Sequence, residues 1–530
     1  MRNLASLLSR KAGRGFSSLL TENDAAAKEL TTLFAMKVYP GSVVGNDGVV
    51  YGLARRELEK FLCLVWLGSA RPEGFDGKPI ALREGDKEIR GMVCPTDPRN
   101  AAALRNALPF CAPQLIGVRR SFGSGDRLGI ATPAHVRAIR GTGVSPIFAQ
   151  QSIREMERTG RSPQQVMDSA SWGVFEEGWR DGFGSDADHL KRPEDMDRCA
   201  AAGFTMFTID PGDHVDNEAQ PATAGKTSDT VTVTKKFDAL PWAELDSSAA
   251  KCRKEYAGKT FDLGNGVKLR LSEQDLWRAA AKYGKAIAHT AMMYGHLVKT
   301  MGPRPFELEM SVDETATPTT PAEHYFVAAE LKRLDVKWVS LAPRFIGDFE
   351  KGIDYKGSLD EFERTFVEHV AIAAKLGPYK ISLHSGSDKF SVYAIAARCA
   401  GDMLHVKTAG TSYLEALRAV ATVDPALFRE ILAFAFERYD TDRATYHVSA
   451  TTSQVRRPDR LKDNELAGVL DVNAGRQLLH VTYGSVLTAG GGKPRFKERI
   501  LTTLKRHEET HYEIVAKHIR RHVAPMSYTK

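Results

Sequence analysis

KISLHSGSDK, residues Lys380 to Lys389, reads as a short strand running into a glycine-rich turn. Side chains alternate across a strand, so Ile381 and Leu383 share one face and Ser382 and His384 the other. Taken alone, His384 reads as a satisfied core histidine beside a turn. The rest of the chain argues against that, because other strand candidates repeat the same alternation of apolar and chemically active residues.

Working outward, the strand candidates are Arg127–Thr132, Pro146–Gln151, Phe204–Asp210, Phe306–Ser311, Trp338–Ala342, Lys380–His384, Leu404–Thr408 and Thr445–Ala450. Helical patterns such as PAEHYFVAAELKRLD and SLDEFERTFVEHVAIAAKLG lie between most of them. Strands alternating with helices predict an α/β protein built on a parallel (β/α)8 TIM barrel. A doubly wound open sheet is the alternative, but no GxGxxG follows an early strand.

The expected organisation is an N-terminal α+β segment over 1–118, a barrel over 119–460 and a C-terminal helical extension over 461–530. Within the first segment, GSVVGNDGVVYGL predicts two short strands around a turn, and LARRELEKFLCLVWLG an amphipathic helix. Residues 216–272 interrupt the alternation after the third predicted strand. They include the Asn265-Gly266 hairpin turn and end at Ser272, the N-cap of a long helix. An insertion at that place lies on the catalytic face, so it is expected to cap the site.

The bulk properties narrow the class. The chain has 530 residues, 42% hydrophobic and 26% charged, with a net charge of +7. Acids are mixed through the basic residues, so no nucleic-acid footprint is expected, and no apolar run is long enough to span a membrane. The six cysteines form no CxxC pair and read as free thiols of a reducing compartment. The first 21 residues are basic, serine-bearing and acid-free, which suits either an organelle transit peptide or a surface helix.

Apolar strand faces must meet the helices, so the polar faces line the barrel. The predicted top layer is Glu309, Arg344, His384, Lys407 and His447. Burying so many polar groups is costly unless they are paired or bind something. At the end of the third predicted strand, DPGDHVD places Asp213 and His214 at the rim, as base and ligand or as plain turn chemistry. Imidazole and carboxylate ligands suit Mn, Co, Ni or Zn. Asp348 and Glu350 lie in a strand-to-helix loop of the same face. The loop SFGSGDR offers Ser124 and Asp126 as substrate-binding candidates without being a P-loop. His507-Glu508-Glu509-Thr510-His511 matches the HExxH pattern of zinc peptidases, with no evident third ligand.

The segments SFGSGDRLGIATPAH, IFAQQSIREMERTGR, FTIDPGDHVD, FELEMSVDET, LAPRFIGDFEKGIDY, KISLHSGSDKF and HVKTAGTSYLEALR resemble the tagaturonate/fructuronate epimerase family. That family includes 4-epimerases of neutral ketoses. The resemblance runs from about Ser121 to Arg457. It implies a divalent-metal-dependent barrel isomerase of hexuronate catabolism in the cytoplasm. By motif, it implies Asp213 as catalytic base, Glu309 as partner acid, and His214 and His384 as metal ligands, with a third ligand near Glu350. Arg344 or Lys407 would hold the substrate carboxylate. The expected partner is a small sugar acid, with no nucleic acid or membrane; homo-oligomerisation is left open. The rival readings are a class II aldolase-like lyase, a non-catalytic sugar-binding barrel and a zinc peptidase acting through HEETH.

Overall fold

Alternating apolar residues of the kind seen in Lys380–Lys389 meet, in a computed structural model, as a closed barrel of eight parallel strands. Residues 2–8, 20–67, 69–84, 87–219, 230–264 and 266–528 are described. Most of the basic N-terminal stretch, and Asn265 of the expected hairpin turn, lie outside them. The barrel strands are β1 (Ser121–Gly125), β2 (Ser145–Ser152), β3 (Gly184–Leu190), β4 (Met206–Ile209), β5 (Glu307–Ser311), β6 (Ser340–Ala342), β7 (Lys380–Leu383) and β8 (Leu404–Thr408). β8 closes on β1, with Val406 opposite Phe122 and Lys407 opposite Gly123.

Phe122, Leu308, Met310, Leu341, Ile381, Leu383 and Val406 face the helices and are at most 1% exposed. Each such side chain contributes about 1.5–3 kcal/mol on burial. A slip of one residue would turn that set inward and expel the polar set, so register and interior chemistry are fixed together.

Two strand assignments change. Arg127–Thr132 is not a strand; β1 is the preceding SFGSG, the stretch read as a loop. Its glycines make room for neighbours: a Cβ at Gly123 would lie 1.7 Å from Gln150 Oε1, and one at Gly125 2.7 Å from the Ala409 carbonyl. Such a strand carries little pattern of its own. Thr445–Ala450 joins no sheet; its backbone is held by side chains instead, with Ser449 N–H donating to Glu350 and Ala450 N–H to Gln477. The strand missing from the sequence reading is β3, GSDADHL. The count of eight therefore holds with different members.

Ahead of the barrel, six strands between Lys37 and Pro95 form an antiparallel sheet. The predicted turn joins Val44–Asn46 to Val49–Arg56 through Asp47 and Gly48, both at positive φ as a tight hairpin requires. LARRELEKFLCLVWLG is not a helix. It contributes to two paired strands, Val49–Arg56 and Glu59–Trp66, which turn at Glu57 with φ +56°. Cross-strand burial of Leu53, Leu62 and Leu64 overrides a pattern that also fits a helix.

The predicted long helix runs from Glu273 to Met301, and Ser272 caps it in a reciprocal capping box with Asp275. In the insertion before it, the helix Thr230–Asp238 packs on that long helix. The hairpin of Thr260–Gly264 and Val267–Arg270 lies against the outer helices Leu359–Leu376 and Pro321–Arg333. None of its described residues lines the two cavities at the barrel mouth. Tyr446, His447, His480 and Tyr483, from the chain after the last strand, do.

Candidate active site

Side chains from the inner faces of β3, β4, β5 and β8 converge on Lys407. Its ammonium lies 2.6 Å from Asp186, 2.8 Å from Asp188, 2.7 Å from Glu309 and 2.6 Å from the Thr208 hydroxyl. Burial alone would lower the Lys407 pKa, but the three carboxylates hold it well above the usual lysine range. It is a fixed cation. Glu309, fully buried, also accepts from His384 Nε2 at 2.6 Å; Lys407 and His384 outweigh its burial and keep it ionised.

His384 stands at the C-terminal end of β7, the face where barrel enzymes place their chemistry. Its Nδ1 faces Ser311 at 3.1 Å and Asp313 at 3.4 Å. His189 meets it edge-on, ring centroids 5.1 Å apart, and bonds Asp210 at 3.2 Å. Burial would lower the His189 pKa, but Asp188, Asp210 and Asp313 push it up to about 10. One ligand atom each from Asp188, His189 and His384 lies within 4.8 Å of the others. Two imidazoles and a carboxylate form a donor set that fits a divalent transition metal. His189 and Ser385 both sit at positive φ, +52° and +51°. Such backbone strain is tolerated where the surroundings over-determine it, and it gathers at functional sites.

Two cavities open on this cluster. A narrow one of about 60 Å³ is lined by Arg127, Gln150, Asp188, His189, Lys407 and His480. A wider one of about 290 Å³ reaches Asp313, Glu314, Arg344, Phe349 and His447. Arg154, Lys351, His384, Ser385 and Tyr446 line both.

Residues 39–526 match the tagaturonate epimerase family. The chain is 46% identical over 488 residues to the tagaturonate/fructuronate epimerase of Thermotoga maritima, covering 92% of this chain and 96% of that one. The chain belongs to the tagaturonate epimerase family. Crystal structures of the fructuronate-tagaturonate epimerase from Cohnella laeviribosi are similar throughout. One glycerol complex has a TM-score of 0.85 at 37% identity, covering 96% of this chain and 99% of that one. The native structure has a TM-score of 0.85 at 38% identity, covering 95% and 99%.

Within this family fold, the expected site residues separate. Glu309, His384 and Lys407 come together as described. Lys407 is saturated by its carboxylates, so it has no capacity to grip a substrate carboxylate. Arg344 reaches the wide cavity but donates to the Thr315 carbonyl. Asp213 and His214 are at the rim: Asp213 is exposed and pairs with Lys191 at 2.8 Å, and His214 stacks on His289 with centroids 4.0 Å apart. Neither joins His384. Glu350 accepts from Lys356, Gln477 and both donors of Ser449, which tie down the segment over the mouth; it is no part of the imidazole cluster. Asp126 accepts three backbone N–H groups, from Leu128, Gly129 and Ala131, and shapes the loop after β1. Ser124 is buried with an unpartnered hydroxyl and lines neither cavity. His447, expected on a strand, is exposed beside Asp348.

Asp186, Asp188 and His189 were missed because β3 was missed. The alternation of Asp186 and Asp188 about Ala187 was the available signal, hidden by the lack of large apolar residues.

The HEETH match resolves differently. One helix ends at Arg506 and the next starts at Glu508, so His507 is at the junction and exposed, while His511 is buried. Among the described residues the two imidazoles belong to no group of three ligand-type side chains, which weighs against the peptidase reading. Further along that last helix, His518 and His522 meet Asp388 in a second buried cluster.

Proposed function

We propose that this chain interconverts D-tagaturonate and D-fructuronate by a divalent-metal-assisted retro-aldol and aldol sequence. The observation that carries the reading is the Asp188–His189–His384 donor set beside the fixed Lys407 cation, at the C-terminal end of a barrel of this family. The two sugars differ at one carbinol carbon, two bonds from the ketone, whose C–H the carbonyl does not acidify. Transient oxidation there would need a hydride acceptor, and the sequence carries no dinucleotide fingerprint.

Asp188, His189 and His384 would hold the cation, and His384 would keep its second nitrogen on a carboxylate, the usual arrangement for a ligating imidazole. Bound there, the cation would supply Lewis-acid polarisation of the ketone. Asp313 lines the wide cavity beside His384, 3.4 Å from its Nδ1. It accepts the proton of the hydroxyl on the carbon to be inverted. The bond from that carbon to its neighbour on the ketone side then breaks, giving an aldehyde and an enolate. Lys407, its donors already taken, holds Asp188 and Glu309 in place beside the reacting carbons. The aldehyde turns, the bond re-forms on its other face, and Asp313 returns the proton to the new alkoxide. Glu309 acts by fixing Lys407 and His384. The mouth would have to keep the two fragments together, which is what separates an epimerase from a lyase.

No helix among the described residues is long and apolar enough to cross a membrane; the cytoplasm is the proposed location on the strength of the metabolic role. The test is NMR of tagaturonate incubated with enzyme, before and after chelation and after adding back Mn, Co, Ni or Zn. Fructuronate should appear only with metal. Release of separate fragments would refute the epimerase reading, and full activity of protein shown metal-free by elemental analysis would refute the metal.

A further inference from the structure

We infer that Arg127, together with the N-terminus of the helix Thr411–Val423, forms the pocket that grips the substrate carboxylate and selects sugar acids over neutral ketoses. This rests on the proposed epimerase function and goes beyond it by locating the specificity.

Arg127 is 3% exposed and cannot move freely. Its Nε donates to Glu155 at 2.8 Å, and its guanidinium carbon lies 3.5 Å from the centre of the Tyr483 ring. One face is stacked and one edge is bonded. Its Nη1, buried, has no partner. An unpaired charged donor of this kind is expensive to leave unfilled. Arg127 lines the narrow cavity that also holds His384 and Lys407.

Gly410, the N-cap of the helix after β8, meets it there with no side-chain cap of its own. The positive end of a helix attracts anions. A Cβ at Gly410 would lie 2.3 Å from His480 Cε1, 2.6 Å from His480 Nδ1 and 3.1 Å from Arg127 Nη1. Glycine therefore keeps this corner open. His480 Nδ1 is also buried without a partner, and burial next to Arg127 keeps the imidazole neutral. The corner thus offers a fixed cation, a helix N-terminus and a neutral imidazole that can donate one hydrogen bond.

The size fits the anion. A cavity of about 60 Å³ has room for about four waters, enough for a carboxylate but not for a whole sugar. The wider cavity can take the rest, through the shared wall of His384, Lys351 and Tyr446. In a ketohexuronate the carboxylate and the ketone lie on opposite sides of the inverted carbon. Holding the acid at Arg127 and the ketone end at His384 would therefore fix the reacting centre between two anchors. The other cations of the mouth have partners: Arg154 bonds Glu314 at 3.0 Å, and Lys351 bonds Ser385 at 2.6 Å.

Two variants test this independently. Arg127→Lys keeps a charge for Glu155 but loses the second nitrogen arm. Gly410→Ala keeps Arg127 and fills the corner. Calorimetry would measure binding of tagaturonate, of tagatose as its neutral counterpart, and of tagatose 6-phosphate, alongside KM and kcat for tagaturonate. In the wild type, tagaturonate should bind tightest. Each variant should weaken tagaturonate binding and raise its KM by about 10- to 100-fold, the range of a lost charged hydrogen bond, with kcat changing less. The preference over tagatose should fall in step. Unchanged tagaturonate affinity in both folded variants overturns the assignment, as does an equal loss for tagatose. Tighter wild-type binding of the phosphate ester would replace the carboxylate by a phosphate. Because binding is read apart from turnover, a wild type that binds tagaturonate through Arg127 without epimerising it would refute the proposed reaction and leave the pocket standing.

Discussion

His384 and Asp388, four residues apart in one turn, anchor two buried clusters of the same residue types with opposite fates. Each brings three ligand-type groups within 4.8 Å: Asp188, His189 and His384 at the mouth, and Asp388, His518 and His522 behind it. In the second cluster every position is taken. Asp388 bonds His518 at 2.5 Å and Arg476 at 2.8 Å, while its own N–H donates to His522 Nε2. Burial would raise the Asp388 pKa, but Arg476 and His518 keep it well below the carboxylate range. Asp388, His518 and His522 line neither cavity at the mouth. The first cluster lines a cavity; positive φ does not separate the two, since Asp388 at +62° shares it with His189 at +52°. Residue type does not make a site: Lys407 sits on Asp188 as Arg476 sits on Asp388, and it is the cavity at the mouth that separates the first cluster from the second.

The sharpest way to break this contrast is His384→Ala. It should lower turnover by ~1000-fold or more and abolish stoichiometric metal, since it removes a proposed ligand and the partner of Glu309 and Asp313. His518→Ala should keep its metal and lose stability instead. Elemental analysis of both proteins decides it; metal lost from the His518 variant alone would exchange the roles of the clusters.

Asp388→Asn comes next. Breaking a buried pair costs about 3–5 kcal/mol, so denaturant unfolding should shift by that amount. An unshifted midpoint would show that the second cluster does not hold the last helix to the barrel.

Glu309→Gln and Asp313→Asn should each lower turnover by ~100-fold, within the range of general acid–base and electrostatic contributions. Asp313→Asn should leave metal content near wild type. Equal KM and kcat in the Asp313 variant would remove it from proton transfer.

Asp213→Asn should have the smallest effect, less than ~10-fold on kcat/KM, because the exposed Asp213–Lys191 pair is worth little. A loss as large as that of Glu309→Gln would mean that the rim carries Asp213 onto the substrate during turnover, and would restore the role the family motif implies.

The sequence by itself determined the barrel, and with it the inward placing of Glu309, His384 and Lys407. These follow from period-two alternation between apolar and polar faces, a local property that any short strand displays. It also carried the family, through several long motifs in order. Only the tertiary structure decided which groups meet. β3 and β1 are written in small and polar residues because their neighbours fill the space, so neither showed an apolar stripe. Asp188 and His189 could not be joined to His384 until the barrel closed. Glu350, adjacent to the site in motif, was drawn off by Gln477 and Ser449 from more than ninety residues away. Arg127 looked like the start of a strand and became a buried cation only because Tyr483 and Glu155 pack around it. Local alternation fixes which face a side chain joins. Its charge state and its partners depend on contacts distant in the chain, which no local pattern encodes.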